Sequence, residues 1–182
     1  MKKLLALFVV VLGFSAVSFG QANIATASSS ATIVTALNVQ KTTDMNFGNI
    51  LRVNATGGTV VLSPAGSPTP SSADLTVLGG APTAAVFTVN GTANSTYSIT
   101  TNSADITLTG AGTAAGDDMK LGTFTLAATT GTVSALTSGS ATGVLLSGTA
   151  VLNMGATLTV KGTQLPGVYT NATGLIVTVN YN

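Results

Sequence analysis

The chain has 182 residues, 45% of them hydrophobic and only 6% charged, with a formal net charge of +1. It contains no His and no Cys. That removes the usual general base of serine-type catalysis, the thiolate nucleophile, and the imidazole and thiolate ligands of common zinc and redox sites. The near-neutral balance argues against a nucleic-acid partner, and the missing cysteines exclude a disulfide-stapled scaffold.

Residues 1–20 have the layout of a secretory signal peptide. Lys2 and Lys3 are followed by an uninterrupted apolar run over residues 4–12, with small residues at Ser18, Gly20 and Ala22. The run is too short to span a bilayer, which takes about 20 residues, and cleavage is expected after Gly20 or Ala22. No later segment is apolar enough to span, so the expected destination is extracellular or the bacterial cell surface, by way of the periplasm. Export removes two of the six basic residues. Lys41, Arg52, Lys120 and Lys161 then face five Asp, a net charge of about −1. A small, polar, flexible lead over residues 21–30 precedes one domain over residues 31–182, long enough to bury roughly 70% of its unfolded surface.

Glu is absent, and Thr, Ser, Gly, Ala and Asn fill the polar positions. Abundant β-branched residues and scarce helix formers favour strands. In chain order, residues 31–39 form the first strand candidate, with Ile33, Leu37 and Val39 on one parity. Gly48, within residues 44–50, marks a bulge or a close backbone approach. Strands follow at 59–63 and 73–78, separated by the proline-rich stretch 64–72, which is expected to be a loop. Residues 84–90 (Phe87 and Val89 inward) are expected to pair as a long hairpin with 96–100 (Tyr97 and Ile99 inward). Short strands are expected at 105–109 and 119–126, a turn-rich irregular stretch at 129–140, and two strands at 148–154 and 157–160. The last strand alternates from Leu175 through Val177 and Val179 to Tyr181, the mark of one buried face. Turn signals about ten residues apart, with no capped 3.6-residue period, indicate an all-β antiparallel sandwich.

Carboxylate chemistry has little to work with. Only Asp117 and Asp118 are adjacent, and neighbouring strand residues face opposite sides. A weak Ca²⁺ site at Asp117, Asp118 and nearby carbonyls is the most these residues suggest. No catalytic residue and no cofactor are expected. Phe47, Phe87, Phe124 and Tyr97 read as core residues.

Several landmarks, in order, resemble a bacterial secreted family catalogued as a domain of unknown function, number four-four-zero-two. They are residues 37–39 leading into Met45-Asn46-Phe47-Gly48-Asn49-Ile50, then Phe87-Thr88-Val89-Asn90-Gly91 and Tyr97-Ser98-Ile99. Gly148-Thr149-Ala150 and Gly155-Ala156-Thr157-Leu158-Thr159-Val160 follow, with Pro166-Gly167-Val168-Tyr169 and Val177-Thr178-Val179-Asn180-Tyr181 at the end. The chain departs from the family pattern at Asn171, where Gly is more usual. Membership implies no activity. More loosely, the alternating last strand with its penultimate tyrosine is similar to chaperone–usher pilins, although the paired cysteines common there are missing. That likeness implies an Ig-like, pilin-like sandwich, a periplasmic chaperone, and an N-terminal extension, here residues 22–39, that adds as a strand to the next subunit.

The expected function is therefore a non-catalytic surface protein, a subunit of a fibre, pilus-like filament or extracellular matrix that self-associates or joins other surface subunits. Its assembly residues would be Ile33, Leu37, Val39, Leu175, Val177, Val179 and Tyr181, unless the first three belong to a strand of their own sandwich. The alternative is a monomeric secreted carbohydrate- or surface-binding module, for which Tyr169, Asp117 and Asp118 are the available loop groups.

Overall fold

In the computed structural model, which describes residues 23–110 and 117–182, the chain is all-β and every strand pair is antiparallel. The signal peptide expected at residues 1–20 lies outside the described residues. The strands are β1 (Asn38–Thr43), β2 (Ile50–Arg52), β3 (Gly57–Leu62), β4 (Pro68–Pro70), β5 (Leu75–Val77), β6 (Ala85–Asn90) and β7 (Thr96–Thr101). They continue as β8 (Ile106–Gly110), β9 (Asp118–Thr130), β10 (Thr132–Val133), β11 (Ser140–Val144), β12 (Thr149–Lys161), β13 (Tyr169–Thr170) and β14 (Val177–Tyr181). The large sheet runs β1-β6-β12-β9-β8-β13, with β3 also on β12 and β4 on β3. The second sheet runs β10-β11-β7-β14, and β2 pairs with β5.

The 13-residue β12 is the centre of the fold. Every even-numbered residue from Ala150 to Val160 is buried. Ala150, Leu152 and Met154 join one apolar cluster, while Ala156, Leu158 and Val160 join the other. β6 pairs along Thr149 to Met154 and β3 along Ala156 to Lys161, while β9 covers the opposite edge. The two strands expected at 148–154 and 157–160 are thus one. Gly155 does not break it. It admits the Leu62 carbonyl and the Pro64 nitrogen, against which any side chain would collide.

β9 keeps both faces consistent with a bulge. Met119 and Leu121 point inward, then the register shifts opposite Gly155 and Thr157, and Phe124, Leu126 and Ala128 take over the inner face. Thr123 sits at the shift with φ 47°, the left-handed conformation that a β-branched residue rarely adopts.

Residues 84–90 and 96–100 are strands but do not pair with each other. β6 lies in the large sheet between β1 and β12, and β7 lies in the second sheet between β11 and β14. Phe87 and Val89 meet Tyr97 and Ile99 across the core instead. The connection, with Asn94 at φ 58°, carries the chain from one layer to the other. The proline-rich stretch is a loop only in part, because β4 pairs with β3. It does so where proline is tolerated, at an edge. Gly48 (φ 77°) is the expected close approach, since a β-carbon there would strike the Gly79 carbonyl. Two turns on Ser138-Gly139 and Ser147-Gly148 have positive φ at both residues, the conformation that closes tight hairpins. Residues 34–182 form one compact unit. Residues 23–33 belong to a separate unit, without strand structure and exposed.

Candidate functional site: the rim between β1 and β14

β14 alternates by necessity. Val177, Val179 and Tyr181 are half-buried against the core, and Thr178 and Asn180 face solvent. Among the described residues its one strand partner is β7, and no strand pairs with its other edge. The Asn182 amide bonds to the Thr96 carbonyl, and the Asn180 carbonyl accepts from the Ser98 hydroxyl. Even-numbered residues therefore turn their backbone groups to β7. By the alternation of an antiparallel ladder, Val177, Val179 and Tyr181 turn theirs to the open edge. β1 is an edge strand of the large sheet and comes close to β14.

Six of the seven residues expected to mediate assembly converge here. Leu37, Val39, Leu175, Val177, Val179 and Tyr181 are all half-buried against the same cluster. Ile33, the seventh, is 97% exposed. The first strand is not residues 31–39 but β1, which starts at Asn38 and pairs with β6 of its own chain. A run of Thr, Ser and Ala from 25 to 32 has too little apolar surface to hold a strand by burial. The segment exposes Ile24, Ile33 and Val34.

Tyr181 ties the rim together. Its hydroxyl donates to the Thr35 carbonyl (2.6 Å) and accepts from the Thr92 amide (2.7 Å), while the Thr35 amide donates to the Thr92 hydroxyl (2.8 Å). Gly91 leaves room beside it, because a β-carbon there would press on the Tyr181 hydroxyl, Leu37 and Leu145. Thr35 and Thr92 were invisible as site residues in the sequence; the only signal was the Asn90-Gly91 turn.

The Asp117-Asp118 pair separates as strand geometry requires. Asp117 Oδ1 accepts from the Gln164 side-chain amide (2.8 Å), the Leu165 amide (3.3 Å) and the Tyr169 hydroxyl. Asp118 bonds to Lys161 (2.9 Å) and lies 3.4 Å from Lys120. The Lys161 hydrogen bond, aided by the Lys161 charge and by Lys120, holds the Asp118 carboxyl below its ordinary value against the opposing effect of desolvation. Desolvation, then the Asp117 contact, raises the Tyr169 hydroxyl above its ordinary value. Both carboxylates are thus answered by protein donors, and the described residues contain no group of three acidic, His or Cys side chains arranged for a metal. Tyr169, bonded also to the Leu165 carbonyl (2.7 Å), is a brace for the 162–168 loop.

No helix among the described residues is long and apolar enough to cross a membrane. No curated protein and no solved structure matches the chain. Residues 37–181, from the first rim residue to the tyrosine that closes it, match the model of the family described as a domain of unknown function, DUF4402, and the chain belongs to that family.

Proposed function

We propose that this is a secreted, non-catalytic surface protein whose copies assemble into a fibre, pilus-like filament or matrix by strand addition at the β14 edge. The observation that carries this reading is the unprotected character of that edge. Natural edge strands are blunted by charge, proline or bulges. The stretch from Gly174 to Asn182 has no charged side chain and no proline, and its apolar row is only half covered. An incoming strand would pair with the backbone groups of Val177, Val179 and Tyr181 and finish burying their side chains. The donor is the segment ahead of β1 in a neighbouring copy, with Ile33 as its anchor. Donor and acceptor are different surfaces, so the contact repeats head to tail and grows a filament. A low surface charge suits a subunit that packs against neighbours.

The test compares a chain starting at Gln21 with one starting at Thr35, which keeps β1 and the Tyr181 contact. Negative-stain images of the first are expected to show filaments. The second is expected to be a monomer with an unchanged unfolding midpoint. Two monomers, or two assemblies, would defeat the reading.

A further inference from the structure

Three connections meet around a cleft of about 180 Å³ whose lining includes none of the rim residues. They are the β7–β8 loop, the β9 bulge and the turn before β11. Phe124 and Leu136, both half-buried core residues, supply its apolar lining. Ser103, Asp105, Thr123 and Ser138 supply its polar lining.

The frame is built to hold still. Asn102, at the base of the loop, donates to the Gly174 carbonyl (3.0 Å) and accepts from the Ile176 amide (2.9 Å). The Thr101 amide bonds to the Gly139 carbonyl (2.8 Å), fixing the turn to the loop. The Asp105 carboxylate lies against Gly122, where any β-carbon would displace it. Two of the non-glycine residues with positive φ, Thr123 (47°) and Ser138 (49°), line this one cleft.

The polar groups, by contrast, are unengaged. Ser103, Asp105, Thr123 and Ser138 are exposed at the mouth of the cleft, and among the described residues their side chains have no hydrogen-bond or ion-pair partner, so water is what a ligand would displace. Three hydroxyls that both donate and accept, one carboxylate that accepts, and an aromatic surface beside them match a ring bearing several hydroxyls and C–H faces. No basic side chain lines the cleft, which disfavours an anion. One carboxylate among neutral groups is too few hard ligands for Ca²⁺. The volume is below the roughly 300–1,000 Å³ of drug-sized sites, a size for one sugar unit.

We infer that this cleft binds a neutral saccharide unit, with Asp105 as the principal hydrogen-bond acceptor and Phe124 beside the sugar ring. The inference is independent of strand addition, because the cleft uses none of the rim residues. A protein with both sites would hold glycan while assembled.

The experiment is saturation-transfer NMR on the purified chain with glucose, galactose, mannose and N-acetylglucosamine, which works for monomer or assembly alike. Saturable transfer to the ring protons of at least one sugar, with a millimolar dissociation constant, is expected. Asp105→Ala is expected to weaken it about tenfold, the scale of one charge-assisted hydrogen bond. Gly122→Ala, which pushes the carboxylate aside, should do the same, with folding checked by circular dichroism. Thr69→Ala, on a different strand pair, should leave binding unchanged. Absence of saturable transfer from all four sugars, or binding that survives Asp105→Ala intact, would overturn the assignment.

Discussion

Tyr181→Phe removes one oxygen atom and leaves the ring packed, so it isolates the bonds that close the rim. The hydroxyl serves two backbone groups, donating to Thr35 at 2.6 Å and accepting from Thr92 at 2.7 Å. A net hydrogen bond contributes about 0.5–1.5 kcal/mol, with more lost where a buried group is left unpaired. Thr35 is exposed and water replaces its partner, whereas Thr92 is half-buried and its amide is replaced less well. The expected loss is about 1–2 kcal/mol. For a chain of this size that lowers Tm by roughly 3–6 °C. The assay is a thermal melt of the chain starting at Thr35, paired with hydrogen exchange at the Thr92 amide, which should speed up in the variant. Gly91→Ala offers a second check. Its β-carbon meets that hydroxyl, so part of its cost should vanish in the Tyr181→Phe background, giving a double mutant less damaged than the sum. An unchanged Tm together with unchanged protection at Thr92 would refute the role given to the tyrosine.

Thr123→Gly should stabilise the fold by about 0.5–1 kcal/mol, since relief of a left-handed β-branched residue outweighs the added chain entropy of glycine. A lowered urea midpoint would contradict this. The Asp118 carboxyl is held below its ordinary value of 3.8 in the folded chain. Its contribution is therefore present above that value and fades as pH falls through the lower folded value. The urea midpoint should drop below about pH 4 in the parent chain and drop less in Asp118→Asn; parallel curves would remove Asp118 as the cause.

Strands with a clean period of two were legible: β6, β7, β8 and β14 appear where alternation puts them. Their partners were not. Phe87 and Tyr97 alternate identically whether their strands share a sheet or face each other across a core, so β6 and β7 read as a hairpin when they belong to opposite layers. β9 runs four residues past the expected end at 126, because Ala127-Ala128-Thr129-Thr130 is small and weakly apolar and reads as the start of the irregular stretch. β12 was split at Gly155 because a glycine needed for a passing carbonyl looks like one that ends a strand. β11 was missed altogether. Ser-Ala-Thr-Gly-Val is small and weakly apolar, since Gly143 must make room for the Tyr97 ring; the Ser-Gly dipeptides flanking the strand were its available signal. At the rim, alternation exposed the apolar members from Leu37 to Tyr181. The Thr35–Tyr181–Thr92 bonds, formed between segments far apart in the chain, left no local pattern.

The placement of β12 also sets a schedule. Both apolar clusters need its inner face, and it follows β3, β6 and β9 in the chain. Until then β3, β6 and β9 have no shared partner, and neither core can close during synthesis. Domains whose contacts are local fold as they emerge; this one must wait, with its strand edges uncovered until β12 has been made. Such a delay keeps the nascent chain unfolded until its central strand is made. It also leaves the chain in need of shielding from its own copies until the central strand arrives.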